Sequence, residues 1–387
     1  MKLTVQQIFQ QHFSRHTQQL HLAPEMWRAA NAIACCRTAR LGMHRIRCVE
    51  GHELSLGYNS CRHRFCNNCA ALSREKWLAG WSQRLLECPH HHVVFTVPQP
   101  LNRLWRYNRR RFSEALFAAA SQSLLMLLDD PKYLGARPGL LAALHTWSQS
   151  LAIHVHLHVL VTAGGLDANG RWRNCVKQCL LPRKVLMIIY RGKLRAELLQ
   201  ALDRGELRLP PDVSESHCRG LFNRLGRQTL NVKLLERYTH GLGVVRYLAR
   251  YLKGGPLSNH RIMDVSKEGV RFRCRRSNGE SCDGEVCLPT HSFLQRILNH
   301  VPPPGMPTVR GYGLYAGCKR EELNDARQQC GQRAIEENEL QPMRWQEFCV
   351  RIGRSKSTQC PICGNALIHE PVEPSERGPP AVMPKGY

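Results

Sequence analysis

Residues Leu151 to Gly165 read LAIHVHLHVLVTAGG, with His154, His156 and His158 alternating with Ile153, Val155, Leu157 and Val159. Successive side chains of a β-strand point to opposite faces, so the three imidazoles share one face and the aliphatic residues share the other. Neutral imidazole is the commonest protein metal ligand, and two of them spaced i, i+2 on a strand can converge on one divalent ion. A half-exposed strand carrying polar histidines satisfies the same alternation. The stretch therefore predicts a strand and a candidate metal site, with no chemistry yet attached.

Charge narrows the partner. Lys and Arg number 55 against 30 Asp and Glu, a formal net charge of +25 over 387 residues. Such an excess points to a polyanion, and nucleic acid is favoured over a membrane surface. No run approaches the ~18 apolar residues of a spanning helix, and Met1 to Leu20 is too polar for a signal peptide. The expectation is a soluble, cytoplasmic protein. Without an export signal, the 18 cysteines point to metal rather than to a disulfide scaffold, with zinc first. This length supports two or three domains.

The first cysteine cluster lies between Ala34 and Ala70 and holds Cys35, Cys36, His44, Cys48, His52, Cys61, His63, Cys66 and Cys69. Cys66-Asn-Asn-Cys69 is half of a zinc knuckle, in which a tight turn aims two thiolates at one ion. Cys48 and Cys61, or His52 replacing one of them, can complete the tetrahedron. A second zinc using Cys36 and His44 is open. Buried, unligated cysteines are the competing structural reading. Arg45, Arg47, Arg62 and Arg64 suit a surface laid against phosphates.

Beyond this module the chain reads as one larger α/β unit. Residues 71–86 suggest a helix with Trp77 and Trp81, and 91–98 a short strand stopped by Pro98 and Pro100. A basic helical stretch at about 106–128 and a second run near Trp147 lead into the histidine strand. Gly164-Gly165, Asp167 and Asn169-Gly170 form the turn signal that ends it, with a hairpin partner starting at 171–173. Residues 182–202 look helical, their Arg and Lys being either phosphate contacts or a solvated face. Gly243 to Gly255, GVVRYLARYLKGG, is helical and closed by two glycines. Tyr247 and Tyr251, spaced i, i+4, project from one face. Such a pair usually packs. Beside a metal site in a basic protein, the two phenols become candidate nucleophiles toward a phosphodiester, with Arg246, Arg250 and Lys253 near the phosphate. From Val301 the chain turns mixed and polar, with Pro302-Pro303-Pro304-Gly305, a charged helical stretch at 319–340 and a second knuckle half, Cys360-Pro-Ile-Cys363-Gly364. Cys349 lies close by, but no further Cys-x-x-Cys completes a ribbon within this tail, so zinc there and a degenerate ribbon are both open. Residues from about 370 to 387, rich in Pro and Gly, suggest a disordered end.

A family resemblance follows from the order of these motifs. Cys36-Arg-Thr, Tyr58-Asn-Ser-Cys-Arg62, His92-Val-Val-Phe-Thr-Val-Pro98, His145-Thr-Trp147, His154-Val-His-Leu-His158, Gly164-Gly165, Arg191-Gly-Lys193, Tyr247-Leu-Ala-Arg-Tyr251, Ser258-Asn-His-Arg261 and Gly311-Tyr-Gly-Leu314 resemble successive motifs of the rolling-circle, two-tyrosine HUH transposases of bacterial insertion sequences. The match runs collinearly over most of residues 30 to 320. It implies an α+β protein: a zinc-binding, DNA-binding module over 1–85, an HUH endonuclease domain (an antiparallel sheet flanked by helices) over 86–300, and a C-terminal region over 301–387. It further implies that His156 and His158 hold a catalytic Mg²⁺ or Mn²⁺, and that four of Cys48, His52, Cys61, Cys66 and Cys69 hold a structural Zn²⁺. One of Tyr247 and Tyr251 would nick single-stranded, end-proximal DNA and keep the 5′ phosphate covalently; the other would accept or cleave a second strand. No nucleotide cofactor is required, since the phosphotyrosine conserves the bond energy.

Two departures from the family's pattern are visible. Cys48-Val-Glu-Gly-His52 replaces a Cys-x-x-Cys pair, so His52 substitutes for a thiolate or the zinc is completed elsewhere, and Val155 replaces a proline. The third ligand of the catalytic metal is not set by the motifs; His154 is in line, and His92, Gln149 and His240 are alternatives. A reading from another class is a zinc-containing DNA-binding regulator or inactive remnant with no phosphodiester chemistry. The tyrosines separate the two. A plasmid-type replication initiator or conjugative relaxase is disfavoured by the zinc module and by the absence of a helicase segment.

Overall fold

The computed structural model describes residues 3–175, 180–227, 230, 232–252, 254–274, 284–335, 345–351, 353 and 358–372, with no account of the side chains of Glu236, Arg250, Tyr251, Leu252, Trp345 and Arg351. Two amphipathic helices, α1 (Val5–His16) and α2 (Pro24–Cys35), begin the chain. The start of α1 is set by a capping box: the Thr4 hydroxyl accepts from the Gln7 N–H, and the Gln7 side chain accepts from the Thr4 N–H, satisfying two donors that a helix end otherwise leaves open. A hairpin of β1 (Met43–Cys48) and β2 (Glu53–Tyr58) and the helix α3 (Ala70–Arg84) follow.

The central sheet opens with β3 (His90–Thr96). The expected single helix over 106–128 is two, α4 (Asn102–Tyr107) and α5 (Arg109–Asp129). They break at Asn108, whose side chain bonds the Arg208 backbone in both directions. The long strands β4 (Arg137–Trp147) and β5 (Ile153–Leu166) then pair, with β6 (Trp172–Asn174) on the end of β5. Helices α6 (Arg183–Asp203) and α7 (Glu215–Leu225) lead to β7 (Val232–Tyr238) and to α8 (Leu242–Leu252), the tyrosine helix. A three-stranded sheet of β8 (Ile262–Val265), β9 (Val270–Arg273) and β10 (Glu285–Leu288) precedes α9 (Thr290–Leu298), β11 (Val309–Gly313), α10 (Arg320–Gln329), α11 (Trp345–Arg351) and β12 (Leu367–Pro371).

The strands of the central sheet run in the order β11-β4-β5-β3-β7, every pair antiparallel, with β6 extending β5. Period-2 alternation divides its residues. Val93, Phe95, Leu140, Ala142, Leu144, Val155, Leu157 and Val159 face one core, shared with α4, α5, α6 and α7. Leu141, Ala143 and Leu160 face the other, under Leu78 of α3, Val244, Val245 and Leu248 of α8, and Leu323 and Ala326 of α10. Burial of each large aliphatic side chain contributes roughly 1.5–3 kcal/mol. The histidine strand is thus covered on both faces, not half-exposed. It also runs past Gly164-Gly165, which lie inside β5. Glycine is required there by close approach: a Cβ on Gly165 would stand 2.4 Å from the Arg137 carbonyl oxygen. The turn itself is Asp167 to Gly170, closed by the Gly170 N–H donating to the Asp167 carbonyl.

Packing contacts cross the linear boundaries at 85 and 300. A second core joins Ile8, Phe9, Phe13, Ala29 and Ile33 of the first two helices to Val270, Phe272, Phe293, Leu294 and Ile297. β11, from the expected polar tail, is an edge strand of the central sheet, and β12 pairs with β1. The charged stretch expected as a helix over 319–340 is helical only to Gln329; residues 336–340 lie outside the described residues, as do 373–387 of the expected disordered end.

Candidate active site

Antiparallel pairing of β4 with β5 sets His145 opposite His156, and on the other side β3 sets Thr96 opposite His156 and Val94 opposite His158. His145, His156 and His158 therefore project from one face, each buried, with their ligand nitrogens within 4.8 Å of one another. His145 Nδ1 lies 3.2 Å from His156 Nε2, within the ~3.0–3.4 Å expected of two nitrogens sharing an ion at about 2.1 Å. For His156 the second nitrogen fixes the tautomer. His156 Nδ1 donates to the His154 carbonyl at 2.8 Å, leaving Nε2 with its lone pair toward the cluster. His158 Nδ1 stands 2.8 Å from His92 Nε2, and the buried Nε2 of His158 has no hydrogen-bond partner. A donor atom placed this way fits a cation, since an orphaned buried polar nitrogen costs about 1–3 kcal/mol. Burial pushes the imidazoles of His156 and His92 down to about 4 and holds those of His145 and His158 well below the ordinary value, so all four are neutral near pH 7.

His156 and His158 are thus brought together, and the residue that joins them is His145. His154 is exposed, at the start of β5 and outside the cluster. His92 backs His158 from behind, His240 is exposed, and Gln149 sits in the β4–β5 connection, where its carbonyl accepts from Arg261. His145 was legible only through pairing: a short connection after Trp147 folds β4 back on β5 and brings residue 145 level with residue 156.

Tyr247 lies across from this cluster on α8, about two-fifths exposed, its ring 5.9 Å from that of His158 and 6.4 Å from that of His92. Tyr251 lies one turn further along the same helix, and its side chain is outside the described residues, as are that of Arg250 and all of Lys253. Arg246 is exposed. The end of α8 is held by the cysteine module. The Gly254 N–H donates to the Arg64 carbonyl, Asn67 Nδ2 donates to the Leu257 carbonyl and to Asn259 Oδ1, and that same Oδ1 accepts from the Val5 N–H. A Cβ on Gly254, which has φ +105°, would meet the Ala70 methyl at 2.7 Å.

In that module Cys36, Cys61, Cys66 and Cys69 form one tetrad, the Cys69 sulfur standing 3.5 Å from that of Cys36 and 3.6 Å from that of Cys61. A tetrahedral zinc at ~2.3 Å sets its sulfurs about 3.8 Å apart. The His63 N–H also points at the Cys61 sulfur, and thiol hydrogen bonds from Cys61 and Cys66 pull the Cys36 thiol down to about 7. The five expected zinc residues do not make one site. Cys61, Cys66 and Cys69 take Cys36 as the fourth member, while Cys48 and His52 lie together elsewhere, their sulfur and Nδ1 3.2 Å apart. The reason is the hairpin: Cys48 and His52 flank the β1–β2 turn, whereas Cys36 ends α2 beside the knuckle. Of the four arginines expected against phosphate, Arg64 is partly buried and donates to Thr308, and Arg45 and Arg47 pair with Glu53 and Glu370.

Two family models match the chain: a transposase zinc-binding domain of the IS91 type over residues 8–97, and a putative transposase over residues 139–322. A putative transposase, y4qJ, of Sinorhizobium fredii is 32% identical over 353 residues, 89% of each chain. The chain belongs to the IS91-type transposase family. The transposase for insertion sequence element IS801 of Pseudomonas savastanoi pv. phaseolicola is 31% identical over 288 residues, 73% of this chain and 68% of its own. The transposase is α+β, with an N-terminal zinc-binding domain whose cysteine tetrad lies wholly within the matched residues, and as a transposase it has DNA as its partner. No helix among the described residues is long and apolar enough to cross a membrane.

Proposed function

We propose that this transposase cuts single-stranded DNA at the ends of its element through a covalent 5′-phosphotyrosine and passes strands from one tyrosine to the other. The observation that carries the reading is the Tyr247 ring 5.9 Å from His158, beside three buried, neutral imidazoles on one sheet face. His145, His156 and His158 would hold a divalent cation, which when bound draws charge from the scissile phosphate. Three imidazoles suit Mn²⁺ better than Mg²⁺, which prefers oxygen ligands. The residues do the rest. His92 and the His154 carbonyl fix the ring orientations of the ligands, and α8 holds the Tyr247 phenol over them. The phenolic oxygen forms a bond to phosphorus, the bond from phosphorus to the 3′ oxygen breaks, and the phenol's proton ends on the released 3′ hydroxyl. Tyr251, on the same helix face, takes the second strand. The cytoplasm is the compartment where such DNA is met.

Incubation with labelled single-stranded element ends and Mn²⁺ gives a denaturant-resistant adduct, lost in the Tyr247→Phe/Tyr251→Phe variant. Adduct persisting in that variant overturns the nucleophile assignment. DNA binding by the unaltered chain with no adduct returns the reading to a zinc-containing DNA-binding regulator.

A further inference from the structure

Cys48 and His52, left over from the first tetrad, meet Cys360 and Cys363 from the far end of the chain. The Cys48 sulfur is 3.8 Å from that of Cys363, and His52 Nδ1 is 3.2 Å from the Cys48 sulfur and 3.9 Å from that of Cys360. A tetrahedral zinc at ~2.3 Å from sulfur and ~2.0–2.1 Å from nitrogen sets these pairs about 3.5–3.8 Å apart. Both halves are built as turns aimed at one point. The Gly51 N–H donates to the Cys48 carbonyl with Gly51 at φ +86°; the Gly364 N–H donates to the Cys360 carbonyl with Gly364 at φ +78°. The Ile362 N–H points at the Cys360 sulfur, the same contact that His63 makes to Cys61 in the first tetrad. The site is also anchored independently of any metal, since β12 pairs with β1 from Cys48↔Leu367 to His44↔Pro371.

We infer that Cys48, His52, Cys360 and Cys363 bind a second zinc, a clasp that fastens the C-terminal knuckle to the N-terminal hairpin. Three thiolates and an imidazole in a closed set suit Zn²⁺ and leave no open coordination position, so the clasp is structural. It closes the outer edge of β1, which would otherwise present unpaired backbone groups. The matched zinc-binding domain ends at residue 97, so two of the four ligands lie outside it. With Cys363 exposed and the first tetrad more enclosed, the clasp is the first of the two to yield to a chelator.

Metal analysis of the full chain then finds two zincs, and Cys360→Ser/Cys363→Ser retains one. A mild chelator removes one zinc before the other. One zinc in the unaltered chain, or two in the serine variant, overturns the clasp. In case the serine variant fails to fold, His52→Cys is the second test. Reconstituted with Co²⁺, it keeps two metals per chain and shifts the cobalt absorption from a mixed sulfur and nitrogen set toward four sulfurs; an unchanged spectrum overturns the assignment.

Discussion

At the residue scale, His145 and His154 make opposite predictions although both stand close to His156. His154 continues the strand alternation but is exposed at its start; His145 comes from the neighbouring strand and points a nitrogen into the cluster. His145→Ala should lower Mn²⁺ affinity and adduct formation by at least about 100-fold, while His154→Ala changes either by less than about threefold. His92→Ala, which removes an orienting partner rather than a ligand, should cost ~10–100-fold in metal affinity. Titration calorimetry with Mn²⁺ checks all three. Burial sets a pH dependence as well. His156 drops to about 4 from an unfolded value of 6.5, so between those values the unfolded chain binds more protons than the folded one. Folded stability is therefore full above about pH 7.5 and falls as pH drops toward 4, by roughly 2 kcal/mol at about pH 5 for one such group. Denaturant midpoints of the metal-free protein should be lower near pH 5 than near pH 7.5; equal midpoints would contradict neutral buried imidazoles.

At the element scale, the device that makes the site is the β4–β5 connection. Leu151 sits there fully buried at φ +63°, a conformation unfavourable for leucine, and surrounding bonds hold it. His300 bonds the Leu151 carbonyl and Thr146, Arg296 donates to the Ser150 carbonyl, and Arg261 donates to the Gln149 carbonyl. The strand itself and the tyrosine helix were legible, because periods of 2 and 3.6 residues are local properties. His145 as a neighbour of His156, and Cys36 as the fourth thiol, were not, because a register or a helix end is fixed by contacts that periodicity does not encode. Ser258-Asn259-His260-Arg261 was visible as a motif without a role. Asn259 ties α1, the knuckle and the segment after α8 together through one oxygen. Asn259→Ala leaves the Val5 N–H and the Asn67 amide without that acceptor, and should destabilise the protein by about 1–3 kcal/mol. If the bond positions the tyrosine helix, kcat for adduct formation falls while DNA affinity stays within about twofold; equal loss of both would make Asn259 a purely structural residue.

At the scale of the whole molecule, the +25 charge points to the polyanion partner, and the packing runs across the boundaries expected at 85 and 300. Composition shifts along the chain mark where segments change character, but they carry no information about which distant segments share a core. Here the first two helices bury their apolar faces against α9 and the β8–β10 sheet, β11 closes one edge of the central sheet, and β12 joins the N-terminal hairpin. A fragment of residues 86–300 therefore lacks the cover for Phe272, Phe293, Leu294 and Ile297, all nearly inaccessible in the full chain. It also exposes the edge of β4 that β11 occupies. Apolar surface of this extent is the usual cause of association. That fragment should bind a hydrophobic dye, aggregate, and lose the cooperative thermal transition of the full chain. Recovery of a soluble fragment with a sharp transition would show that the 86–300 unit folds by itself and that the N-terminal helices are an addition to it rather than part of its core.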